Sequence, residues 1–170
     1  MIRIEKAGYE QLQLVHDMAQ VVFRRTYRDI LSAEQMEYMM DWMYSMPNLE
    51  QQIKEGHHYY VAYEEAVPCG YVSVQYEGKD ADGINVFHLH KIYVMPDKQG
   101  CGVGMKLFQT AVSHVREAAD GMPSRIELNV NKYNKALDFY KHIGMRVLLE
   151  EDFPIGNGFY KTDYIMGLDI

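Results

Sequence analysis

Between a run of strand-like residues and a stripe of helix-like ones, the chain carries Gln99-Gly100-Cys101-Gly102-Val103-Gly104. Three glycines at alternate positions leave little side chain between the backbone and whatever approaches it. The helix expected to follow would aim unpaired N–H groups and the positive end of its dipole at the same place. A strand end and a helix start must therefore converge on one point, and an anion such as phosphate or pyrophosphate suits it. Two familiar phosphate motifs fail on spacing. A G-x-G-x-x-G fingerprint begun at Gly100 needs glycine where Met105 stands, and begun at Gly102 needs it where Leu107 stands. A small residue is required there for the helix to pack on its strand, so a dinucleotide site is not supported. No Gly-Lys-Ser/Thr follows either, so no lysine is placed for a nucleoside triphosphate.

The surrounding pattern predicts a mixed α/β (α+β) domain. Ile2 and Ile4 mark a short strand, and Leu12, Val15, Met18, Ala19, Val22 and Phe23 follow helical spacing. A second helix starts with Ser32 as N-cap and carries the stripe Met36, Met39, Met40, Met43. Tyr59–Tyr63 and Gly70–Val74 read as a hairpin joined by Glu64–Pro68, and Phe87–Val94 as the next strand, ended by Pro96-Asp97. After the glycine loop, Val103, Leu107, Phe108, Ala111, Val112, Val115 and Ala119 give a long amphipathic helix. Ile126–Val130 is a strand, Ala136–Ile143 a helix with Gly144 at its C′ position, and Met145–Leu149 and Tyr160–Leu168 two closing strands.

Nothing in the 170 residues marks an internal boundary, so one domain over 1–170 is expected. The formal charge of −7 argues against a nucleic-acid partner. Cys69 and Cys101 form neither a disulfide framework nor a CxxC metal pair. The absence of an apolar leader or a run of roughly 20 apolar residues predicts no membrane association and a cytoplasmic setting.

The pattern that fits the loop is Q/R-x-x-G-x-G/A, met by Gln99, Gly102 and Gly104. Downstream stands Asn134-Lys135-Ala136-Leu137-Asp138-Phe139-Tyr140, closing on Gly144-Met145. With both signatures at this separation, the chain resembles the GNAT superfamily of N-acetyltransferases from Tyr59 onward. Its tail, Asp152–Phe159 and Asp163–Met166, and its early segment Phe23–Tyr27 are similar to the bacterial spermidine/spermine (polyamine) acetyltransferases of the PaiA type. The resemblance implies a mostly antiparallel twisted sheet flanked by helices, with its fourth and fifth strands splayed. It implies acetyl-CoA as cosubstrate and no metal. The acceptor would be the primary amine of a small molecule, with a polyamine as the narrower expectation. A protein or peptide amino group, or a sensor that binds acyl-CoA without catalysis, are the alternatives. Pairing of exposed strand edges into a homodimer is a further expectation.

What the resemblance implies for individual residues is as follows. Backbone groups of Ile92, Tyr93 and Val94 would pair with the pantetheine amides as an added strand would. Amides of Gln99, Gly100, Cys101, Gly102, Val103 and Gly104 would hold the pyrophosphate. A backbone amide near Tyr93 would polarise the thioester carbonyl. An asparagine, Asn131 or Asn134, would contact CoA; many relatives have it where Tyr133 stands here. Tyr140 would also meet the cosubstrate and, as a phenol protonated at neutral pH, would donate a proton to the departing thiolate.

His88 and His90, at i and i+2, are the candidate bases, expected on one strand face together with Ile92 and Val94. The pair also suggests a metal, but no third ligand stands at a recognisable spacing. Cys101 sits where a helix dipole would favour a thiolate, yet direct transfer needs no covalent enzyme. The Met36–Met43 stripe with Trp42 reads either as core or as an adaptable wall for an aliphatic acceptor. Asp29, Glu34 and Asp41 could receive a cation or stand as solvated helix charges.

Overall fold

The computed structural model describes residues 1–170. Seven strands, β1 (Ile2–Ala7), β2 (His58–Glu64), β3 (Val67–Lys79), β4 (Asn85–Val94), β5 (Ser124–Asn131), β6 (Arg146–Gly156) and β7 (Phe159–Asp169), form one sheet in the order β1-β2-β3-β4-β5-β7-β6. Every neighbouring pair is antiparallel except β4–β5. The hairpins close on two-residue turns with both residues at positive φ, as primed turns require: Glu65-Ala66 between β2 and β3, and Asn157-Gly158 between β6 and β7. The second is an Asn-Gly dipeptide, the residue pair that adopts this geometry most readily.

The parallel pair is the feature that makes a site. β4 and β5 are paired only from Asn85↔Ser124 to His88↔Glu127. Beyond that, β4 runs to Val94 along β3, and β5 runs to Asn131 along β7. The sheet therefore opens into a V, and the edge of β4 facing β5 is left unpaired from Leu89 onward.

Helices α1 (Leu12–Tyr27), α2 (Ala33–Tyr44) and α3 (Met46–Lys54) cover one face, and α4 (Val103–Ala119) with α5 (Ala136–His142) the other. Each face has its own core. Val72, Val74, Phe87 and Leu89 pack against Leu107, Phe108, Ala111 and Val115 of α4. Tyr59, Val61 and Tyr71 pack against Val15, Val22, Phe23, Met36 and Met40 on the other face. Ser32 caps α2 as expected, its hydroxyl accepting from the Gln35 N–H at 3.1 Å, and Gly144 takes the left-handed φ of 102° after α5.

Three expectations need correction. The helix α3 was not foreseen, although Ser45 caps it and Pro47 lies in its first turn, both ordinary start signals. The strands β3 and β6 run well past their expected ends, to Lys79 and Gly156. The third concerns side-chain direction in β4. The β3–β4 register passes from Ser73↔Lys91 to Val74↔Leu89, so His90 is an extra residue, a bulge. A bulge reverses the alternation of faces beyond it. His88 does not share a face with Ile92 and Val94, which pack on the α4 side. Lys91 and Tyr93 join His88 and His90 on the face toward α1–α3 instead.

Candidate active site

The glycine loop closes the wide end of the V. Gly100 and Gly102 hold φ of 81° and 83°, in the left-handed region, and Gly102 is the N-cap of α4. Their backbone is exposed, and α4 starts immediately behind it. Gln99 turns back, and its Nε2 donates to the Val94 carbonyl at 3.0 Å, tying the loop to the end of β4. Cys101 is exposed, and its Sγ meets only the Gln99 carbonyl, at 3.9 Å.

On the α1–α3 side of the V lies a cavity of about 500 Å³. Helices α1 and α2 and the turn between them supply an apolar wall that includes Phe23, Leu31, Met39, Trp42 and Met43. The methionine stripe thus serves both, with Met36 and Met40 in the core, Met39 buried in that core while lining the cavity, and Met43 at the cavity. Asp29, Glu34 and Asp41 do not line it; the carboxylates that do are Glu55 and Asp163. Asp163 is 1% exposed and already engaged, with Lys161 Nζ at 3.1 Å and Asn129 Nδ2 at 3.3 Å.

The strand wall is basic. His57, His88, His90 and Lys91 all face the cavity. His88 Nδ1 lies 3.1 Å from Glu77 Oε1, which anchors one ring nitrogen and leaves Nε2 as an acceptor. His90 Nε2 meets Gln75 Oε1 at 2.8 Å, so that nitrogen carries the proton. Burial, reinforced by His88, His57 and Lys91, drives the His90 pKa down to about 2; burial and Lys91 take His57 to about 4. Stacked rings, 4.3 Å apart for His57–His90, do not aim their nitrogens at a common point, and no group of three His, Cys, Asp or Glu converges as metal ligands would.

Lys91 went unremarked in the sequence because charged residues are seldom buried. It is 3% exposed, and burial lowers its pKa to about 7. Gln52 Nε2 donates to the Met43 carbonyl at 2.9 Å, which turns Gln52 Oε1 inward. That oxygen accepts from Lys91 Nζ at 2.6 Å and from the Tyr59 hydroxyl at 2.5 Å, and Lys91 also donates to the Tyr59 oxygen at 2.7 Å. The only sequence signal for this arrangement was the helix start at Ser45, since α3 carries Gln52.

Where the V opens, Tyr27, Tyr93 and Asn134 form a chain. Asn134 Oδ1 accepts from the Ala136 N–H at 2.9 Å, which orients its amide so that Nδ2 donates to the Tyr27 oxygen at 3.2 Å. Tyr27 in turn lies 3.0 Å from the Tyr93 hydroxyl. Asn134 thus ties the start of α5 to α1, whereas Asn131 lines the cavity. Tyr140 is 6% exposed in the α4-side core, near Tyr27 and Tyr93. Burial raises its pKa, so the phenol keeps its proton at neutral pH.

A splayed parallel pair, a glycine loop at its mouth and a cavity beside the exposed strand edge thus meet at one end of the sheet. The acetyltransferase (GNAT) domain model matches residues 27–166. The chain belongs to the GNAT family. The PaiA N-acetyltransferase of Thermoplasma acidophilum, solved with coenzyme A, superposes with a TM-score of 0.77 at 22% identity, over 98% of both chains. A GCN5-related N-acetyltransferase from Rhodopseudomonas palustris gives 0.77 at 19% identity, over 99% of this chain and 95% of that one. Among curated proteins, the peptidyl-lysine N-acetyltransferase YjaB of Escherichia coli is 36% identical over 61 residues, 35% of this chain and 36% of that relative's length.

For this GNAT domain, the glycine positions separate by geometry. A Cβ on Gly104 would lie 3.7 Å from Phe139 and Val94, ordinary contact, whereas any side chain at Gly102 must accept the left-handed φ. Such strain amounts to about 1–3 kcal/mol. Gly102→Val is therefore expected to weaken coenzyme A binding by roughly 5- to 150-fold, and Gly104→Ala to leave it within about two-fold. Calorimetric titration of both variants with coenzyme A checks the contrast.

Proposed function

We propose that this protein transfers the acetyl group of acetyl-CoA directly to the primary amine of a small molecule. The observation that carries the proposal is the unpaired edge of β4 beyond His88, set between the glycine loop and the cavity. Pantetheine adds to that edge against Ile92, Tyr93 and Val94. Its pyrophosphate rests on the amides of Gln99 through Gly104. The thioester then faces the cavity, where the acceptor enters.

The neutral amine attacks the thioester carbonyl carbon, and a backbone N–H of the Ile92–Val94 segment stabilises the tetrahedral oxygen. As the C–S bond breaks, the thiolate takes a proton from Tyr140, and the proton that the attacking nitrogen sheds on becoming an amide restores the Tyr140 phenol. A thiolate expelled into buried surroundings has a raised proton affinity, which makes a phenol an adequate donor. The acceptor's ammonium proton leaves through His88, whose Nδ1 is anchored on Glu77. His90 does not suit this role, because at a pKa of about 2 its ring does not hold a proton near neutrality. Asn131, on the cavity wall, supports a contact with the cosubstrate better than Asn134, whose amide is spent on Ala136 and Tyr27.

A peptide amino group is the second acceptor reading, supported by the name of the YjaB relative. The test is release of free coenzyme A thiol with a panel of polyamines, amino acids, aminoglycosides and lysine-containing peptides. Release with a small amine and not with peptides is expected. Acetyl-CoA binding without thiol release across the panel would point to a sensor.

A further inference from the structure

We infer that the acceptor carries a carboxylate as well as its amine, and that Lys91 and His57 on the cavity wall receive it. The inference rests on the acetyl-transfer reading of the same site and names its substrate class.

Lys91 donates to Gln52 Oε1 and the Tyr59 oxygen, both neutral. A protonated lysine has a third N–H, and no carboxylate is near enough to offset its burial, which alone sets its pKa. The neighbouring groups on each packed element do not supply one. On β3, Glu77 is taken by His88, and on β7, Asp163 is taken by Lys161 and Asn129. Glu55, after α3, stands exposed at the mouth and acts on His57. From α2, Tyr44 presents its ring 5.3 Å from Nζ, which favours a cation without neutralising it, while Tyr59 of β2 meets Nζ through its hydroxyl.

Beside Lys91, His57 Nδ1 is buried with no hydrogen-bond partner, on a ring stacked against His90. A buried polar atom without a partner is unfavourable, and a turn of the ring toward the cavity would let an acceptor oxygen satisfy it. A carboxylate supplies what the wall lacks: one oxygen for the third N–H of Lys91 and one for His57. One negative charge suffices, because His57 and His90 are neutral near pH 7 and Lys91, without a carboxylate partner, is the one wall group there that gains its proton as a carboxylate arrives. A polyamine would set two or more ammonium groups against Lys91 and Lys161 with Glu55 as the free carboxylate.

The test compares acceptors of equal chain length: 4-aminobutyrate, 5-aminovalerate and several α-amino acids against their amides and against the linear diamines. With acetyl-CoA present, kcat/KM for the carboxylates is expected to exceed that for amides and diamines by about tenfold or more. Lys91→Met should raise KM for the carboxylates by a similar factor and change KM for the amides by less than about two-fold. Equal or better use of diamines, or a KM for carboxylates unmoved by Lys91→Met, overturns the inference. A readout independent of turnover is thermal stabilisation by 4-aminobutyrate against putrescine, both with coenzyme A bound. A shift with 4-aminobutyrate alone, lost in Lys91→Met, supports the carboxylate site even if no amine is acetylated. That combination would refute acetyl transfer and not the site. No shift with 4-aminobutyrate, or an equal one with putrescine, refutes the site.

Discussion

Tyr140→Phe is expected to lower kcat by about a hundredfold or more while leaving the affinity for acetyl-CoA within about two-fold. The change removes one oxygen from a side chain that is 6% exposed and packed in the α4-side core. Its ring keeps its place, so the V and the glycine loop are undisturbed. What is lost is a proton that burial holds on the phenol well above neutral pH. Without it the thiolate must leave unprotonated or wait for water, which has poor access here. The loss should be smaller with an acetyl donor whose leaving group is more acidic than an alkyl thiol, because such a group needs no proton to depart. Equal kcat for Tyr140→Phe and wild type would remove the residue from the mechanism.

Lys91→Met is expected to move stability and activity in opposite directions. The folded protein holds Lys91 at a pKa of about 7, against an ordinary value of 10.5. Between those two values the unfolded chain binds a proton that the folded protein does not, so wild-type stability rises with pH across that window. Below pH 7 both states carry the proton, and the folded state bears the full penalty of a buried ammonium. Methionine fills similar space without charge, and Gln52 Oε1 keeps its donor in the Tyr59 hydroxyl. The variant should therefore be more stable at neutral pH by on the order of 2–4 kcal/mol. The gain should shrink to nothing above about pH 10.5. Urea titrations at several pH values measure it, and a variant no more stable at pH 6 than wild type would show that the ammonium is not under strain. A residue that destabilises the fold and lines the acceptor cavity is the pattern expected where stability has been yielded to function.

Much of this was legible in the sequence, for identifiable reasons. Gly100 and Gly102 announced their loop because left-handed backbone favours glycine, whereas Gly104 lies in helical backbone with room for a Cβ. The stripe from Val103 to Ala119 announced α4 because one face must be apolar. Ser32 and Gly144 marked helix ends through capping chemistry. The missing information lay where local pattern and tertiary structure part company. A bulge at His90 has no sequence mark, yet it reverses the faces of Ile92, Val94, Lys91 and Tyr93. Lys91 drew no remark in the sequence, since its burial depends on Gln52 and Tyr59 from α3 and β2. Asp29, Glu34 and Asp41 were plausible only until the helices were oriented, when Glu55 and Asp163 took their place at the cavity. Asn131 and Asn134 could not be told apart by spacing; in the structure Asn134 spends its amide on Ala136 and Tyr27, and Asn131 lines the cavity.

The central claim is that the acetyl group passes directly from thioester to amine inside the V. It is tested most directly by a single turnover: enzyme and acetyl-CoA in equal amounts, an amine acceptor in excess, and mass spectrometry of all products. The account predicts one acetylated amine for each coenzyme A released, with no acetyl group on Cys101 or Lys91 at any time. Acetyl-CoA recovered intact beside every amine, or an acetylated protein that forms and decays at the rate of turnover, would contradict it.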